Sequence, residues 1–417
     1  MARGGKRLAK RVLGIGGAIL LAAVVGALAG LVLLTRTNAG QALVLERVLA
    51  RIDGVVNGEI VVSGLRSAGL HRGARLVGLQ VRAPDGTSIM TADSVEVEYS
   101  LRQVLRGDVV LSAVTLWQPI LTIAKSSVGD PFNLTSFLLG RELTSEEIAV
   151  GGGGSGPVQR LVLEDVTIRG GRLEVRYPLA SAPGPDSRVV TVPATVPADD
   201  AVGVVRTLDF HDIVGHLDGV VVVDPDVAGL RVDVDSLSFE GNVFRDPVRV
   251  RRFDGIIEWL EDHISITAET LRLPGSTATG SATVDLNPGR VPDLVVDLVA
   301  SRLDFNDLRW LRPDLPDARG SGGFEVALGP DGLRIRWSGA RFPLGDGAIV
   351  GEGVFSLPRG EAASFEDVSL EVMDVPVATL SDYLPRSLPL DGTLDGHVDL
   401  AGTMESLSVD ARLVLAE

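Results

Sequence analysis

The most restrictive feature of this sequence is a strict alternation of apolar and charged residues, which returns many times along the chain. A period of two places apolar side chains on one face of a β-strand and charged side chains on the other. The chain is therefore predicted to be mainly β, folded as an antiparallel meander rather than as β–α–β units. The pattern is present at residues 95–99, 173–177, 232–235, 264–266, 271–273, 333–337 and 397–400.

Turn signals separate these runs, and helix signals are few. Short helices are predicted after two asparagine caps, Asn38 and Asn133, and over residues 304–311 and 377–384, where a proline follows. Residues rich in Gly or Pro are predicted to be flexible or irregular at 151–157 and 182–200. Turns rich in Gly, Pro and Asp are predicted at residues 84–86, 106–108, 169–171, 330–332 and 390–392.

The N-terminus carries a membrane-anchor signal. Residues 1–11 contain five basic residues and no acidic residue, and residues 12–34 contain no charged residue. This run is long enough for a helix to span a hydrocarbon core of about 30 Å, and basic residues before it predict a cytoplasmic N-terminus. A cleaved signal peptide is the alternative. Because the run is longer than a usual signal sequence and lacks a small-residue cleavage site, we expect an uncleaved transmembrane signal anchor.

The rest of the chain divides into three predicted regions. These are an N-terminal β region with an amphipathic helix at 35–150, flexible Pro/Gly-rich loops within the sheet at 151–200, and a repetitive β region at 201–417 that ends within a strand pattern. Within the last region, an offset of 72 residues aligns Pro313 with Pro385 and Gly320 with Gly392. The shared unit is a short helix, a proline and a strand that begins at glycine. Such repetition indicates an array built from similar pieces.

A sheet with one apolar face must keep that face out of water. It can pack against a second sheet, close into a barrel, or curl around a groove that holds another molecule. The predicted helices are too few to cover roughly two dozen strands, and a barrel of that size would enclose a wide lumen. We therefore expect an elongated, curled, taco-like sheet with a hydrophobic groove and a few short helices. For each lining residue, an ordinary core position is the alternative. The predicted lining is Val95, Val97, Leu173, Val175, Val232, Val234, Ile264, Ile266, Leu271, Leu273, Leu333, Ile335, Val398 and Leu400.

Several segments resemble a known family. Residues 390–403, LDGTLDGHVDLAGT, resemble the L-x-G-x-L-x-G-x-V-x-L-x-G-T strand pattern of the AsmA-like superfamily, and residues 377–385 are similar to its lead-in. Residues 37–40, 92–95 and 114–119 are similar to TamB-like proteins, the inner-membrane subunits of the translocation and assembly module. Because TamB-like chains are usually longer, this chain resembles an N-terminal fragment or a short member of that family.

The resemblance implies a location and partners. It implies a periplasmic β-groove, anchored in the inner membrane of a diderm bacterium, that transports phospholipid between the inner and outer membranes. It also implies an outer-membrane barrel protein of the TamA-like kind as a partner.

The sequence excludes several kinds of chemistry. It contains no cysteine, which excludes disulfides, cysteine–zinc sites and thiol catalysis, and its net charge of −16 argues against a nucleic-acid partner. No phosphate-binding loop, H-E-x-x-H or G-x-S-x-G motif is present. We therefore expect no catalytic residue, metal or cofactor. The one cluster of possible metal ligands, interpreted as a solvated face, is His211 and His216 with Asp209, Asp212 and Asp218.

Two functions of different classes remain open. The first is a lipid-conducting bridge, which would shield acyl chains whose exposure to water costs about 0.8 kcal/mol per CH₂ group. The second is an assembly factor for outer-membrane β-barrel or autotransporter proteins, which would pair nascent strands with an edge of the sheet. A cell-envelope enzyme with a scattered site is a weaker third alternative.

Overall fold

The structure, a computed structural model, describes thirteen parts of the chain. The apolar run at 12–34 and the segment after Asn38 lie outside the described residues. No helix of the described part has the length and apolar character needed to cross a membrane. The described residues are 57–67, 74–99, 108–127, 130–138, 160–179, 204–223, 229–242, 247–260, 262–286, 293–310, 315, 317–381 and 391–416.

The described chain is mainly β, as the alternation predicts, and its strands form one 18-stranded sheet. Three short helical segments accompany it: α1 (Asn133–Leu138), the 3₁₀ helix η1 (Phe305–Leu308) and α2 (Val377–Ser381). The first nine strands are β1 (Glu59–Ser67), β2 (Ala74–Arg82), β3 (Ser88–Tyr99), β4 (Asp108–Trp117), β5 (Ile120–Ala124), β6 (Arg160–Leu179), β7 (Val204–Val223), β8 (Leu230–Asn242) and β9 (Pro247–Leu260). The other nine are β10 (His263–Arg272), β11 (Thr277–Asp285), β12 (Asp293–Asp304), β13 (Arg319–Gly329), β14 (Gly332–Leu344), β15 (Gly347–Pro358), β16 (Ser364–Pro376), β17 (Thr393–Thr403) and β18 (Ser406–Ala416).

The strands lie side by side in sequence order, and their neighbours are antiparallel with one exception. Strands β4 and β5 lie end to end, both antiparallel to β3 and both parallel to β6. This parallel pairing departs from the predicted meander, and it requires the chain to cross between the two long edges of the sheet. At about 4.8 Å per strand, the sheet extends roughly 75 Å along its stacking direction.

The predicted turn at residues 169–171 is wrong, because these residues form a bulge inside β6. Gly170 adopts a φ of 69° there, which glycine tolerates without steric cost. Beside this bulge, β4 ends and β5 begins. There the Gln118 amide donates to the Arg169 carbonyl, and the Arg172 amide donates to the Pro119 carbonyl. Strand β6 therefore continues for 20 residues and includes the strand pattern at 173–177, while the flexible or irregular segments predicted at 151–157 and 182–200 lie outside the described residues. By contrast, the turns predicted at 84–86 and 330–332 do connect β2 to β3 and β13 to β14.

Irregular strand pairing recurs at about the same position along neighbouring strands, so the irregularities line up across the sheet. Strands β10, β12, β14 and β16 each carry an extra residue at this level relative to both of their neighbours, and β16 carries a second one relative to β17, between Val372 and Val375. Because a bulge bends its strand, bulges at matching levels bend the whole sheet along a line perpendicular to the strands. We call this level the bulge line. It is marked by the segments 268–271, 300–303, 337–340 and 365–368 and by positive φ angles at Gly78, Gln118, Gly170 and Asp212.

The two long edges of the sheet differ. The strands β5, β12 and β16, which precede α1, η1 and α2, all run in the same direction, so the three helical segments follow strand ends on one side of the sheet, which we call the lower edge. The residues before α1 also reach the opposite end of β9, where Phe132 packs on Trp259. The opposite, upper edge has two-residue turns after β9, β13 and β17. The helices predicted at 304–311 and 377–384 are present as the shorter η1 and α2. Each follows a strand and precedes the next, which matches the 72-residue repeat.

Candidate functional site: the apolar face

One face of the sheet is apolar from strand to strand, and we call it the inner face. Residues paired directly across neighbouring strands point to the same side. Directly paired apolar residues form a first row across β8–β15, which consists of Val232, Ile257, Ile266, Ala282, Val296, Val326, Ile335 and Phe355. A second row runs parallel to it and consists of Trp259, Ile264, Val284, Leu294 and Leu328.

The opposite, outer face is charged and laced with ion pairs. Arg231 contacts Asp233 at 2.9 Å and Glu258 at 3.0 Å, and Arg334 contacts Glu366 at 3.0 Å. The hydrogen bond to Asp233 raises the pKa of Arg231, against the opposing effect of burial. The outer face is therefore the hydrated side of the sheet, as the alternation predicts.

A cover segment, residues 125–127 and 130–138, closes the inner face between β1 and β9. Phe132 is fully buried, and its ring packs edge-on against the Trp259 ring with 5.7 Å between centroids. At the other side of the segment, the Asn57 amide donates to the Phe137 carbonyl at 2.9 Å. The segment therefore contacts both the start of β1 and the end of β9.

Polar contacts fasten the cover segment. The Lys125 ammonium lies 3.1 Å from the Asp262 carboxylate and 4.7 Å from the centroid of the Phe132 ring. Asn133 begins α1 as predicted, but its side chain also fixes the helix to β5, because it donates to the Thr122 carbonyl and accepts from the Ala124 amide. These contacts attach the cover segment both to β5 and to the turn after β9.

The same contacts show that this part of the sheet curls. Lys125 follows the lower end of β5, whereas Asp262 follows the upper end of β9, and three strands lie between β5 and β9. In a flat sheet the two residues would lie at opposite edges and at least about 19 Å apart, further than a lysine side chain reaches. The ion pair and the Phe132–Trp259 contact form because the sheet bends toward its inner face.

The structure divides the predicted lining residues into three groups. Val95, Val175 and Val234 are buried members of the core beneath the cover segment. A second group is partly buried against that core: Val97, Leu173, Val232, Ile266, Leu271 and Leu273. The third group is half-buried at other inner-face positions of β10, β14 and β17: Ile264, Leu333, Ile335, Val398 and Leu400. The first group therefore occupies ordinary core positions, whereas the third group lines a more open surface.

An apolar pocket of about 270 Å³ lies where the covered part of the inner face ends. Phe253 and Leu271 lie at its end nearest the lower edge, and Ile266, Val296 and Leu298 line it further up. Further along the sheet, inner-face residues such as Ile335, Val398 and Leu400 are half-buried, whereas Val368 and Val372 are buried.

Sequence reasoning missed part of this pocket. Val296 and Leu298 alternate with Val295 and Asp297, so the same period-two signal was available for them. Phe253 follows two arginines and precedes an aspartate, and nothing local marks it as a pocket residue. Its position depends on the bulge that shifts the pairing of β8 with β9.

The described residues hold no group of three His, Asp or Glu side chains arranged for a metal ion. His211 pairs with Asp212 at 2.9 Å, and His216 lies 3.6 Å from Asp165 and 3.9 Å from Asp218. These histidines are half-buried, and they contact different carboxylates.

Comparison of the chain with models of protein families, with curated proteins and with solved structures finds no match. The function has to be inferred from the residues of this chain.

Proposed function

We propose that this protein is an inner-membrane-anchored periplasmic bridge that carries phospholipid between the inner and outer membranes along a hydrophobic β-groove. The observation that supports the proposal is the unbroken apolar inner face. The inner face continues across β10–β18, where Ile264, Ile335, Val398 and Leu400 are half-buried, although Val368 and Val372 of β16 are buried.

The energetic role of such a groove follows from the hydrophobic effect. A lipid chain of about 16 carbons exposed to water costs on the order of 13 kcal/mol. An apolar face that keeps the chain out of water removes most of this barrier while the headgroup stays hydrated. Transport of this kind requires no catalytic residue, metal or cofactor.

The location and the partner in this proposal come from the N-terminal sequence and the family resemblance. Residues 12–34 would anchor the chain in the inner membrane, with the N-terminus in the cytoplasm and the β-sheet in the periplasm. A TamA-like barrel in the outer membrane is the proposed partner, and the acidic net charge of −16 argues against nucleic acid.

Two neighbouring valines of β12 give a matched test. Val296 lines the pocket on the inner face, whereas Val295 is 45% exposed and alternates to the outer face. In the full chain, extracted mildly from membranes, we expect phospholipid to co-purify. Val296→Asp should remove most of that lipid, because a carboxylate in the acyl path is strongly unfavourable, and Val295→Asp should leave it unchanged.

Bound lipid would be measured by native mass spectrometry and by extraction. Equal lipid content in the two valine variants, or no lipid in the parent protein, would contradict the proposal.

The assembly-factor alternative predicts a different contact, because β-augmentation would pair a partner strand with a terminal strand of the sheet. Cross-linking from β18 to unfolded barrel proteins that persists in the Val296→Asp variant would favour this alternative.

A further inference from the structure

The arginines of the outer face differ in whether an acidic side chain neutralises them. Near the upper edge, Arg231 and Arg334 contact acidic side chains at 3.0 Å or less, and Arg336 lies 3.5 Å from Glu325. These arginines are neutralised within the protein.

Near the lower edge, four arginines form a row across β9–β14 at the level of the bulge line, and we call them the arginine row. Arg252 and Arg272 are direct cross-strand partners. Thr277 of β11 pairs with both Arg272 and Arg302. Arg341 pairs with Ser321, which faces the bulge of β12. Like charges placed directly opposite each other in a sheet are destabilising, so the pairing of Arg252 with Arg272 has a cost.

Three members of the arginine row have no acidic partner. Arg272, Arg302 and Arg341 are exposed, and within the described residues none of them makes a hydrogen bond or an ion pair through its side chain. Arg252 contacts Asp254 at 3.3 Å and Asp235 at 3.9 Å. The row therefore carries net positive charge on a chain whose formal charge is −16.

The acidic residues near the lower edge do not contact Arg272, Arg302 or Arg341 in the described structure. Asp304 is held by Arg319 at 2.8 Å, and Asp307 accepts hydrogen bonds from the Ser276 hydroxyl and the Gly275 amide. Glu269 and Glu352, on strands β10 and β15, are exposed, and neither lies within ion-pair distance of the row in the described structure.

Acidic residues lie in the two-residue turns of both edges, Asp331 and Glu405 at the upper edge and Asp346 at the lower edge. The arginine row is distinguished instead by three guanidinium groups, unpaired within the described residues, on alternate strands beside the apolar pocket.

The arginine row lies beside the lower end of the apolar pocket. Leu271 and Phe253 line that end, and Arg272 and Arg252 are their neighbours in the chain, on the opposite face of the same strands. Arg272 is the last residue of β10, and only residues 273–276 separate that strand from β11. A molecule with an apolar tail in the pocket would bring its polar end to this edge.

We infer that the lower edge is the headgroup edge of the groove, where the arginine row binds the phosphate of lipids whose acyl chains lie on the inner face. The inference rests on the proposed function. Guanidinium groups bind phosphate oxygens with paired, charge-assisted hydrogen bonds, and a row spaced along the groove offers successive contacts as a lipid moves. The lipids bound would be those with an anionic phosphate headgroup.

The test compares two short lipids with the same tails, dioctanoyl phosphatidylglycerol and dioctanoylglycerol, which lacks the phosphate. Each is titrated by calorimetry into the full chain held in a lipid-free amphipathic polymer. We expect the parent protein to bind the phosphate-bearing lipid about fivefold more tightly, the range of one exposed ion pair. The variant Arg272→Gln/Arg302→Gln/Arg341→Gln should bring this ratio close to one while it still binds dioctanoylglycerol.

A matched control separates local contacts from net charge. Arg231→Gln/Arg334→Gln/Arg336→Gln removes the same charge at the upper edge and should keep the fivefold preference. If both triple variants lose the preference equally, or if the row variant keeps it, the headgroup edge is wrong and the groove proposal stands. If the parent binds neither lipid, the proposed function fails and the inference fails with it. Circular dichroism of each variant verifies that the sheet is intact.

Discussion

The ion pair between Lys125 and Asp262 predicts unequal effects for removing its two partners. The Lys125 side chain is only 3% exposed, whereas the Asp262 side chain is 36% exposed. Asp262→Asn leaves an ammonium group buried without its counter-charge. Lys125→Met leaves a carboxylate that water can still hydrate, and methionine fills much of the lysine volume.

These differences set the expected magnitudes. A buried charge stripped of its partner costs about 3 kcal/mol, so Asp262→Asn should destabilise the contact between β5 and β9 by that amount. Lys125→Met should cost about 1 kcal/mol or less, because a partly exposed pair contributes little. The double variant should be closer to Lys125→Met than to Asp262→Asn, because it contains no unpaired buried charge.

Hydrogen exchange is the suitable assay, because it reports local opening in an elongated sheet that need not unfold in one step. The Lys125 amide donates to the Arg176 carbonyl at 3.0 Å, so the peptide around Lys125 reports the contact directly. Its protection should fall on the order of 100-fold in Asp262→Asn and about fivefold in Lys125→Met. Equal losses in the two variants, or a larger loss in Lys125→Met, would refute the burial argument.

Two further predictions concern stability. Gly255→Ala should be strongly destabilising, because the new Cβ would lie 1.9 Å from the Thr267 carbonyl oxygen and the backbone has a φ of 152°. Gly64→Ala should be neutral or slightly stabilising, because no atom lies within 4 Å of its Cβ position. Urea unfolding would compare the free energies of unfolding of the two variants. Burial raises the pKa of Asp304, but hydrogen bonds from Arg319 and the Asn306 amide outweigh it and hold the pKa below its usual value. Ionised Asp304 therefore stabilises the fold above about pH 4, and this contribution is lost as the pH falls through the folded-state pKa. The stability deficit of Asp304→Asn at pH 7 should shrink below about pH 4 in urea titrations; a constant deficit would contradict this reasoning.

The β architecture and the polarity of its two faces could be predicted from the sequence, because both depend on local patterns. The alternation at 333–337 places Leu333 and Ile335 on one face wherever the strand pairs, since side chains alternate with a period of two. The short helices after β12 and β16 were also predictable, because a cap and a following proline are adjacent in the chain. Local signals also marked the irregular backbone at Gly170, but not that the strand continues beyond it.

Only the tertiary structure decided which apolar residues are covered and which remain accessible. Val95 and Ile335 have the same local pattern, yet Val95 is buried beneath the cover segment and Ile335 is half-buried on a more open part of the inner face. The difference arises from contacts such as that between Lys125 and Asp262, which are 137 residues apart. The arginine row likewise forms from the register and bulges of separate strands. Contacts over such distances depend on how the sheet bends, which no window of sequence contains.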